Sequence, residues 1–283
     1  MIENIPIAKL HPFTGHPYKV LDNDEMDALT ESVREHGIMT PLIVRPLAGG
    51  EYEVISGHRR LYAAQRAGIE AVPAFIHEID RDAAAIELVD SNLHREHILP
   101  SEKAFAYKLK LEAINRQGQR TFSQLGKKIN SYEEMAEQSG ESRNQIHRYI
   151  RLTHLIPSLL DLVDEGRMAF SVGVELSYLE EAAQEYISEI YEYNETTPSY
   201  SQACRMHREC GIYDTDLFLN RIYQIMSESK PNQRERVSLP VEQLRRFFPE
   251  DYSPRDMQKV ILRLVEDNCD TTRQTKPRDR GDR

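Results

Sequence analysis

A five-residue segment at positions 56–60 combines residue types that bind phosphate. It reads Ser-Gly-His-Arg-Arg, after an apolar run and before a helical pattern. Glycine lets a ligand approach the backbone, the start of a helix offers free N–H groups, and arginine donates paired hydrogen bonds to phosphate. The segment predicts a cradle for an anion or a nucleotide phosphate. On so short a motif, a capped helix with two exposed arginines is the alternative.

A second polar cluster lies at residues 91–95, where the next predicted helix ends. Asn92, His94 and Arg95 are residue types that could add phosphate or metal ligands. The alternative is a frayed helix end, where a cation is favourable beside the negative pole of the helix dipole.

The stretch 131–152 has the pattern of a helix-turn-helix. A short helix is followed by a tight turn at Gly140 and by a second helix that Ser142 caps. Arginine pairs with guanine edges, and asparagine and glutamine pair with adenine edges, so the outward side chains of the second helix predict readout of the DNA major groove. The predicted DNA-binding residues are Lys127, Lys128, Ser142, Arg143, Asn144, Gln145, His147 and Arg148. The alternative is a polar, solvent-exposed face on an ordinary helix pair.

Charge is unevenly distributed along the 283 residues. The whole chain has a net charge of −10, but residues 103–151 carry 10 basic and 5 acidic side chains. Because salt screens charges beyond about 10 Å, the local sign matters more than the total. The basic segment contains the predicted helix-turn-helix and supports binding of a polyanion by that segment.

The elements that position these residues predict an α+β protein. The first hundred residues alternate helix and strand patterns, with helices near 24–37, 59–68 and 81–93 and strands near 42–44, 52–55 and 72–79. From residue 100 the pattern is helical, with a helix predicted to end at Gly118 and a polar insert at 119–130. The predicted domains are 1–98 (small α/β), 99–180 (helix-turn-helix), 181–229 (helical) and 230–283 (helices at 239–248 and 253–268 with a disordered tail).

Composition narrows the class of protein. Three cysteines do not make a secreted disulfide scaffold and indicate a reducing compartment. The first ten residues lack the pattern of a signal peptide, and no apolar run is long enough to span a bilayer. We therefore expect a cytoplasmic protein with no membrane partner.

Three ordered motifs, with the helix-turn-helix after them, resemble the ParB/RepB family of DNA partition proteins. The first motif is Thr-Pro-Leu-Ile-Val-Arg at 40–45, and the second is Ile-Ser-Gly-His-Arg-Arg-Leu-Tyr-Ala-Ala at 55–64. The third combines Ser-Asn-Leu-His-Arg-Glu at 91–96 with Leu-Pro-Ser-Glu at 99–102. The resemblance covers about residues 1–180, and the order of the motifs is more specific than any one of them.

The resemblance implies a ParB/sulfiredoxin-like N-terminal domain that binds CTP with Mg2+, and a clamp that closes around DNA. It also implies double-stranded DNA, a second copy of the chain and a ParA-type ATPase as partners, and association with a nucleoid or plasmid. The nucleotide site would comprise Thr40, Gly57, His58, Arg59, Arg60, Ser91, Asn92 and Arg95, with Asn92 also as a metal ligand.

Two positions depart from the family pattern. His58 and Ser91 stand where the family usually has glutamate, so the oxygen ligands of the metal are weakened and nucleotide hydrolysis is disfavoured. His58 beside two arginines is expected to make the pocket more cationic. Two other functions stay open: a nuclease or nucleotide hydrolase with this fold, and a transcriptional regulator with an inert N-terminal domain.

Overall fold

The computed structural model describes residues 2–93, 95, 97–125 and 131–228, without the side chains of 119–125, and scattered residues between 244 and 264. The chain divides into two compact units, Met1–Glu228 and Ser229–Arg283. Within the described part, no helix has both the length and the apolar character needed to cross a bilayer. The predicted helices at 239–248 and 253–268 fall mostly outside the described residues, and the predicted disordered tail lies wholly outside them.

A mixed five-stranded sheet forms the centre of the N-terminal region. The strands are β1 (Ile2–Pro6), β2 (Leu10–Pro12), β3 (Leu42–Pro46), β4 (Tyr52–Ser56) and β5 (Ala71–Ile76). Their order across the sheet is β1-β5-β3-β4-β2, with β1 antiparallel to β5, β3 antiparallel to β4, and parallel pairing of β3 with β5 and β2 with β4. The sequence does not predict the two edge strands β1 and β2, which are short and end at prolines.

Helices cover both faces of this sheet. They are α1 (Asp24–His36), α2 (His58–Ala67), α3 (Arg81–Asn92) and α4 (Pro100–Leu125). Side chains alternate along a strand, so Val54 of β4 packs with α1 and α2, whereas its neighbour Ile55 packs with α3 and α4. The α2 corner and the end of α3 are therefore both anchored on β4, and the α+β class is confirmed.

Helix α4 is longer than predicted. The expected end at Gly118 is wrong, because the helix continues to Leu125. A single glycine lowers the stability of a helix by only about 1 kcal/mol relative to alanine. Because α4 is also stabilised by packing on α3, the helix does not end at this glycine. The predicted insert at 119–130 is thus partly helical, and its remainder, with Lys127 and Lys128, lies outside the described residues.

Seven further helices complete the described first unit. They are α5 (Ser131–Ser139), α6 (Arg143–Leu152), α7 (Pro157–Asp164), α8 (Phe170–Leu176), α9 (Glu181–Asn194), α10 (Tyr200–Glu209) and α11 (Thr215–Ser227). One apolar cluster runs from Leu152 at the end of α6 through α7, α8 and α9 to Ile225 of α11. This core supports α6 from behind.

Close packing in this core requires a glycine at position 173 of α8. A Cβ atom added there would lie 2.8 Å from Val163 Cγ2 and 3.2 Å from Leu152 Cδ2. We expect Gly173→Ala to lower the free energy of unfolding by about 1–3 kcal/mol, the usual cost of overpacking. Urea denaturation measures the change.

Gly118→Ala is the matched control for this substitution. No atom lies within 4 Å of a Cβ placed at Gly118, so the alanine should stabilise α4 by about 0.8–1 kcal/mol through helix propensity. Effects of the same sign at both positions would contradict the packing described for Gly173.

Candidate functional site

The corner between β4 and α2 opens into a cavity that the end of the third motif also reaches. The cavity has a volume of about 420 Å3 and is lined by Ser56, Gly57, His58, Arg59 and Arg60 together with Glu25, Leu29 and Arg95. A second cavity of about 810 Å3 shares Glu25, Arg59 and Arg95 with it. The structure therefore brings the 56–60 segment and Arg95 together, as the sequence analysis expects.

Gly57 is required by the backbone of this corner. Its φ is 103°, in the region that favours glycine, and it directly precedes the first residue of α2. A Cβ atom there would lie 3.1 Å from both Leu42 Cγ and Arg60 Nη2. Since no side chain caps α2, the first N–H groups of the helix are left for a ligand.

The three arginines of the cavity are held in different ways. Arg59 pairs with Glu25 at 3.0 Å. Arg60 donates from Nη1 to the carbonyl oxygens of Thr40 and, at 2.9 Å, Pro41, and burial lowers the pKa of its guanidinium. Arg95 lies over the Tyr18 ring at 5.6 Å. Three guanidinium groups and one carboxylate thus line the cavity, and this excess of positive charge suits an anionic ligand.

Three other predicted residues do not present side chains to this cavity. Thr40 is exposed, and its backbone carbonyl is the group that contacts Arg60. Asn92 is buried and donates from Nδ2 to Leu88 O at 2.7 Å. Ser91 lines a separate cavity of about 520 Å3 between α3 and α4.

His58 is neutral, so the expectation that it adds positive charge is wrong. Burial lowers the pKa of His58 to about 3, and the neighbouring His16 and Arg95 contribute. Its Nε2 accepts from Phe13 N–H at 3.4 Å, and its ring also hydrogen-bonds to the backbone of Val54. The ring centroid lies 3.7 Å from that of His16, with the two ring planes tilted by 42°. Burial also lowers the pKa of His16.

The neutral state of His58 predicts a pH dependence of stability. In the unfolded chain the imidazole of His58 binds a proton when the pH falls below its ordinary pKa of 6.5. In the folded chain it binds a proton only when the pH falls below about 3. Stability should therefore fall by up to about 1.4 kcal/mol per pH unit as the pH drops from 6.5 towards 3. His58→Gln should remove this part of the slope in urea titrations, and an unchanged slope would contradict the burial of a neutral ring.

The residues present do not fit the Mg2+ ion that the resemblance implies. Magnesium takes hard oxygen ligands in octahedral geometry. His58 offers nitrogens that already have partners, Ser91 faces another cavity, and Asn92 is bonded back to its own helix. Among the described residues, no group of three or more His, Cys, Asp or Glu side chains could hold a metal.

The second candidate surface is the α5–α6 pair, which has the predicted arrangement of two helices and a tight turn. Gly140 adopts φ 69° in the turn, and the Ser142 side chain accepts from Gln145 N–H at 3.2 Å to cap α6. Ile146 of α6 is fully buried with Met135 of α5 and Tyr107 of α4. This packing fixes which face of α6 points outward.

The outward face of α6 exposes four of the six predicted DNA-binding residues that the structure describes. These are Ser142, Arg143, Asn144 and His147, and among the described residues the ion pair of Arg143 is a 3.7 Å contact with the exposed Glu133. Gln145 and Arg148 are half-buried. Arg148 lies over the Phe170 ring at 5.0 Å and donates to Gln145 Oε1 at 3.3 Å, so these two residues sit at the edge of the surface.

Sequence reasoning missed several residues around the cavity. Glu25 comes from the first turn of α1, and His16 and Tyr18 come from the loop before it. None of them lies in a motif, and only the close packing of α1 on α2 brings Glu25 to Arg59. The sequence does show acidic residues in the first turn of α1. Such residues are common at the start of any helix, because they interact favourably with the helix dipole, so they do not by themselves indicate a binding site.

Known proteins similar in sequence to this chain include partition proteins. Residues 1–93 match the model of the ParB N-terminal domain. The chain is 28% identical to stage 0 sporulation protein J of Bacillus subtilis over 94% of this chain and 91% of the relative. It is 33% identical to the chromosome-partitioning protein Spo0J of Thermus thermophilus over 59% of this chain, and it spans little more than half, 56%, of that relative.

Solved structures of ParB from Caulobacter crescentus are also similar to the chain. The C-terminally truncated protein complexed to the centromeric parS site has 21% sequence identity and a TM-score of 0.43, covering 74% of this chain and 100% of that one. The same protein complexed with CTP-gamma-S has 24% identity and a TM-score of 0.32, covering 67% and 98%.

Proposed function

The chain belongs to the ParB family of DNA partition proteins through its N-terminal domain at residues 1–93, and from this premise we propose that it binds double-stranded DNA sequence-specifically through α6. The N-terminal cavity binds a nucleotide and controls self-association. The protein acts in the segregation of a chromosome, plasmid or mobile element, which places it at the nucleoid or plasmid in the cytoplasm.

The observation that carries this proposal is the exposed polar face on the first turns of α6. Arg143, Asn144 and His147 project from a helix that is capped at Ser142 and anchored from behind by Ile146. A major groove admits one helix, and side chains near the N-terminus of that helix reach the base edges. The surrounding segment 103–151 is the basic part of an acidic chain.

Nucleotide binding is proposed for the cavity at the start of α2. Three guanidinium groups and the free N–H groups of a ten-residue helix converge there, which is a favourable site for phosphate. Family resemblance makes CTP the first ligand to test. Nuclease or nucleotide-hydrolase activity is not part of the proposal. Among the described residues no cluster of three acidic, histidine or cysteine side chains could hold a metal that would neutralise developing charge.

A dimer and a ParA-type ATPase partner complete the proposal. A helix-turn-helix that reads a two-fold symmetric site normally does so as a dimer, with one α6 in each half-site. Half-sites should then be separated by about one helical turn or a multiple of it.

Selection from a random duplex library tests the proposed function. The full-length protein should enrich one motif with approximate two-fold symmetry. Affinity for the selected duplex should exceed affinity for a shuffled duplex by about 1,000-fold or more. Recovery of unrelated sequences with equal affinity would contradict sequence-specific binding.

A further inference from the structure

The cavity at the start of α2 contains its own positive charge. Arg59, Arg60 and Arg95 line it, and Glu25 is the acidic side chain in the same lining. Arg59 is paired with Glu25, whereas Arg60 and Arg95 contact carbonyl oxygens and an aromatic ring. The cavity therefore keeps an excess of positive charge that a phosphate group can neutralise directly.

Aromatic rings pack against His58, which lines the cavity at the position where the family pattern usually has a glutamate. The ring centroids of His58 and His16 lie 3.7 Å apart at a tilt of 42°, the His16 ring meets Tyr18 edge-on at 5.6 Å, and Arg95 lies over Tyr18. The Nδ1 atom of His16 hydrogen-bonds to Tyr18 O at 2.8 Å. These contacts hold the rings and Arg95 in place, and none of them presents an anionic oxygen to the cavity.

Direct binding and metal-bridged binding make opposite demands on such a site. A triphosphate that arrives with a divalent cation needs acidic or neutral oxygen ligands to complete the coordination sphere. A phosphate that arrives alone needs cationic donors and helix N–H groups, because carboxylates would repel it. The described lining has the second composition except for Glu25, whose carboxylate is paired with Arg59.

We propose that this cavity binds its phosphate ligand without a divalent cation, through Arg59, Arg60, Arg95 and the first N–H groups of α2. The proposal rests on the nucleotide-binding function proposed above and departs from the metal-dependent binding that the family resemblance implies. His58, packed against His16, stands at the position of a family carboxylate and leaves the arginines free of competition from a bound cation.

Equilibrium binding of labelled CTP to the full-length protein tests this inference, with Mg2+ in one arm and EDTA in the other. Ionic strength is matched between the arms because phosphate contacts are sensitive to salt. We expect the two dissociation constants to agree within about threefold, a difference of less than 1 kcal/mol. Affinity that falls by about tenfold or more in EDTA would overturn metal-independent binding while leaving the nucleotide function in place.

The absence of CTP binding in both arms would overturn the nucleotide function and this inference together. Where CTP does bind, inorganic pyrophosphate is included as a competitor, because it has the same phosphate chemistry without a base. Competition in EDTA supports the inference, and a requirement for Mg2+ in the competition contradicts it.

Two substitutions at position 58 provide a matched pair. His58→Glu places a carboxylate beside the arginines, so CTP affinity in EDTA should fall by about tenfold or more, with partial recovery in Mg2+. The glutamine of His58→Gln has a shape similar to that of glutamate but no charge. The affinities of this variant for CTP in Mg2+ and in EDTA should therefore differ by less than about threefold. A ratio that is the same for the Glu and Gln variants would overturn the inference, once circular dichroism shows both to be folded.

Discussion

Replacement of Arg143 by alanine is expected to remove about 1–3 kcal/mol of discrimination at one base pair of each half-site, equal to about 5- to 150-fold in relative affinity. Arg143 stands on the first turn of α6, is exposed, and has only a distant contact with Glu133. Its guanidinium is therefore available to a guanine edge. Fluorescence anisotropy with the selected duplex and with single-base variants of it measures the loss.

Arg167→Ala is the matched control for this experiment. Arg167 is exposed to a similar degree, 53% against 60% for Arg143, but lies between α7 and α8 and pairs with Glu165. Its removal should leave discrimination unchanged. If Arg143→Ala weakens selected and shuffled duplexes equally, Arg143 contacts phosphate and does not read a base.

Replacement of Arg60 by alanine is expected to weaken CTP binding by about 10- to 150-fold, because charge-assisted hydrogen bonds contribute about 1.5–3 kcal/mol. Arg60 also holds the carbonyl oxygens of Thr40 and Pro41, so its loss should loosen the segment before β3. Protection of the N-terminal domain from protease by CTP should disappear. Labelled-nucleotide binding and limited proteolysis measure the two effects.

Arg66→Ala separates a binding role from a general effect on α2. Arg66 belongs to the same helix but pairs with Asp22 and Asp27 outside the cavity lining. CTP affinity should be unchanged in that variant. Unaltered affinity and unaltered protection in Arg60→Ala would remove Arg60 from the site.

The parts of the site that follow local rules could be predicted from the sequence. The cap at Ser142, the turn at Gly140 and the buried Ile146 together determine which side chains of α6 face outward, and all three follow from residue type and helical periodicity. The same holds for Gly57, since a strand that passes directly into a helix needs an unusual backbone angle. Local patterns therefore identified both candidate surfaces.

The third motif shows where such patterns fail. Ser91 and Asn92 are the last residues of α3, and successive helical side chains point about 100° apart. One of them consequently faces α4 and the other is buried, while Arg95, beyond the end of the helix, can turn back to the cavity. A motif read as one unit does not predict this separation.

Charge at His58 was mispredicted for a different reason. Two adjacent arginines suggest a cationic cluster in sequence, but the ionisation of an imidazole depends on burial and on its ring neighbours. His16, whose ring packs against it, is 42 residues away in the chain. Only tertiary packing reveals that the ring is neutral, and this neutrality is consistent with direct phosphate binding.

Photo-crosslinking from position 144 tests most directly the central claim that the outward face of α6 contacts DNA bases. A crosslinking amino acid replaces the exposed Asn144 in one variant and the exposed Glu185 of α9 in another, and each is irradiated with the selected duplex. The proposed function predicts crosslinks from position 144 to bases inside the motif and none from position 185. Equal crosslinking from the two positions, or none from position 144 in a variant that still binds the duplex, would contradict it.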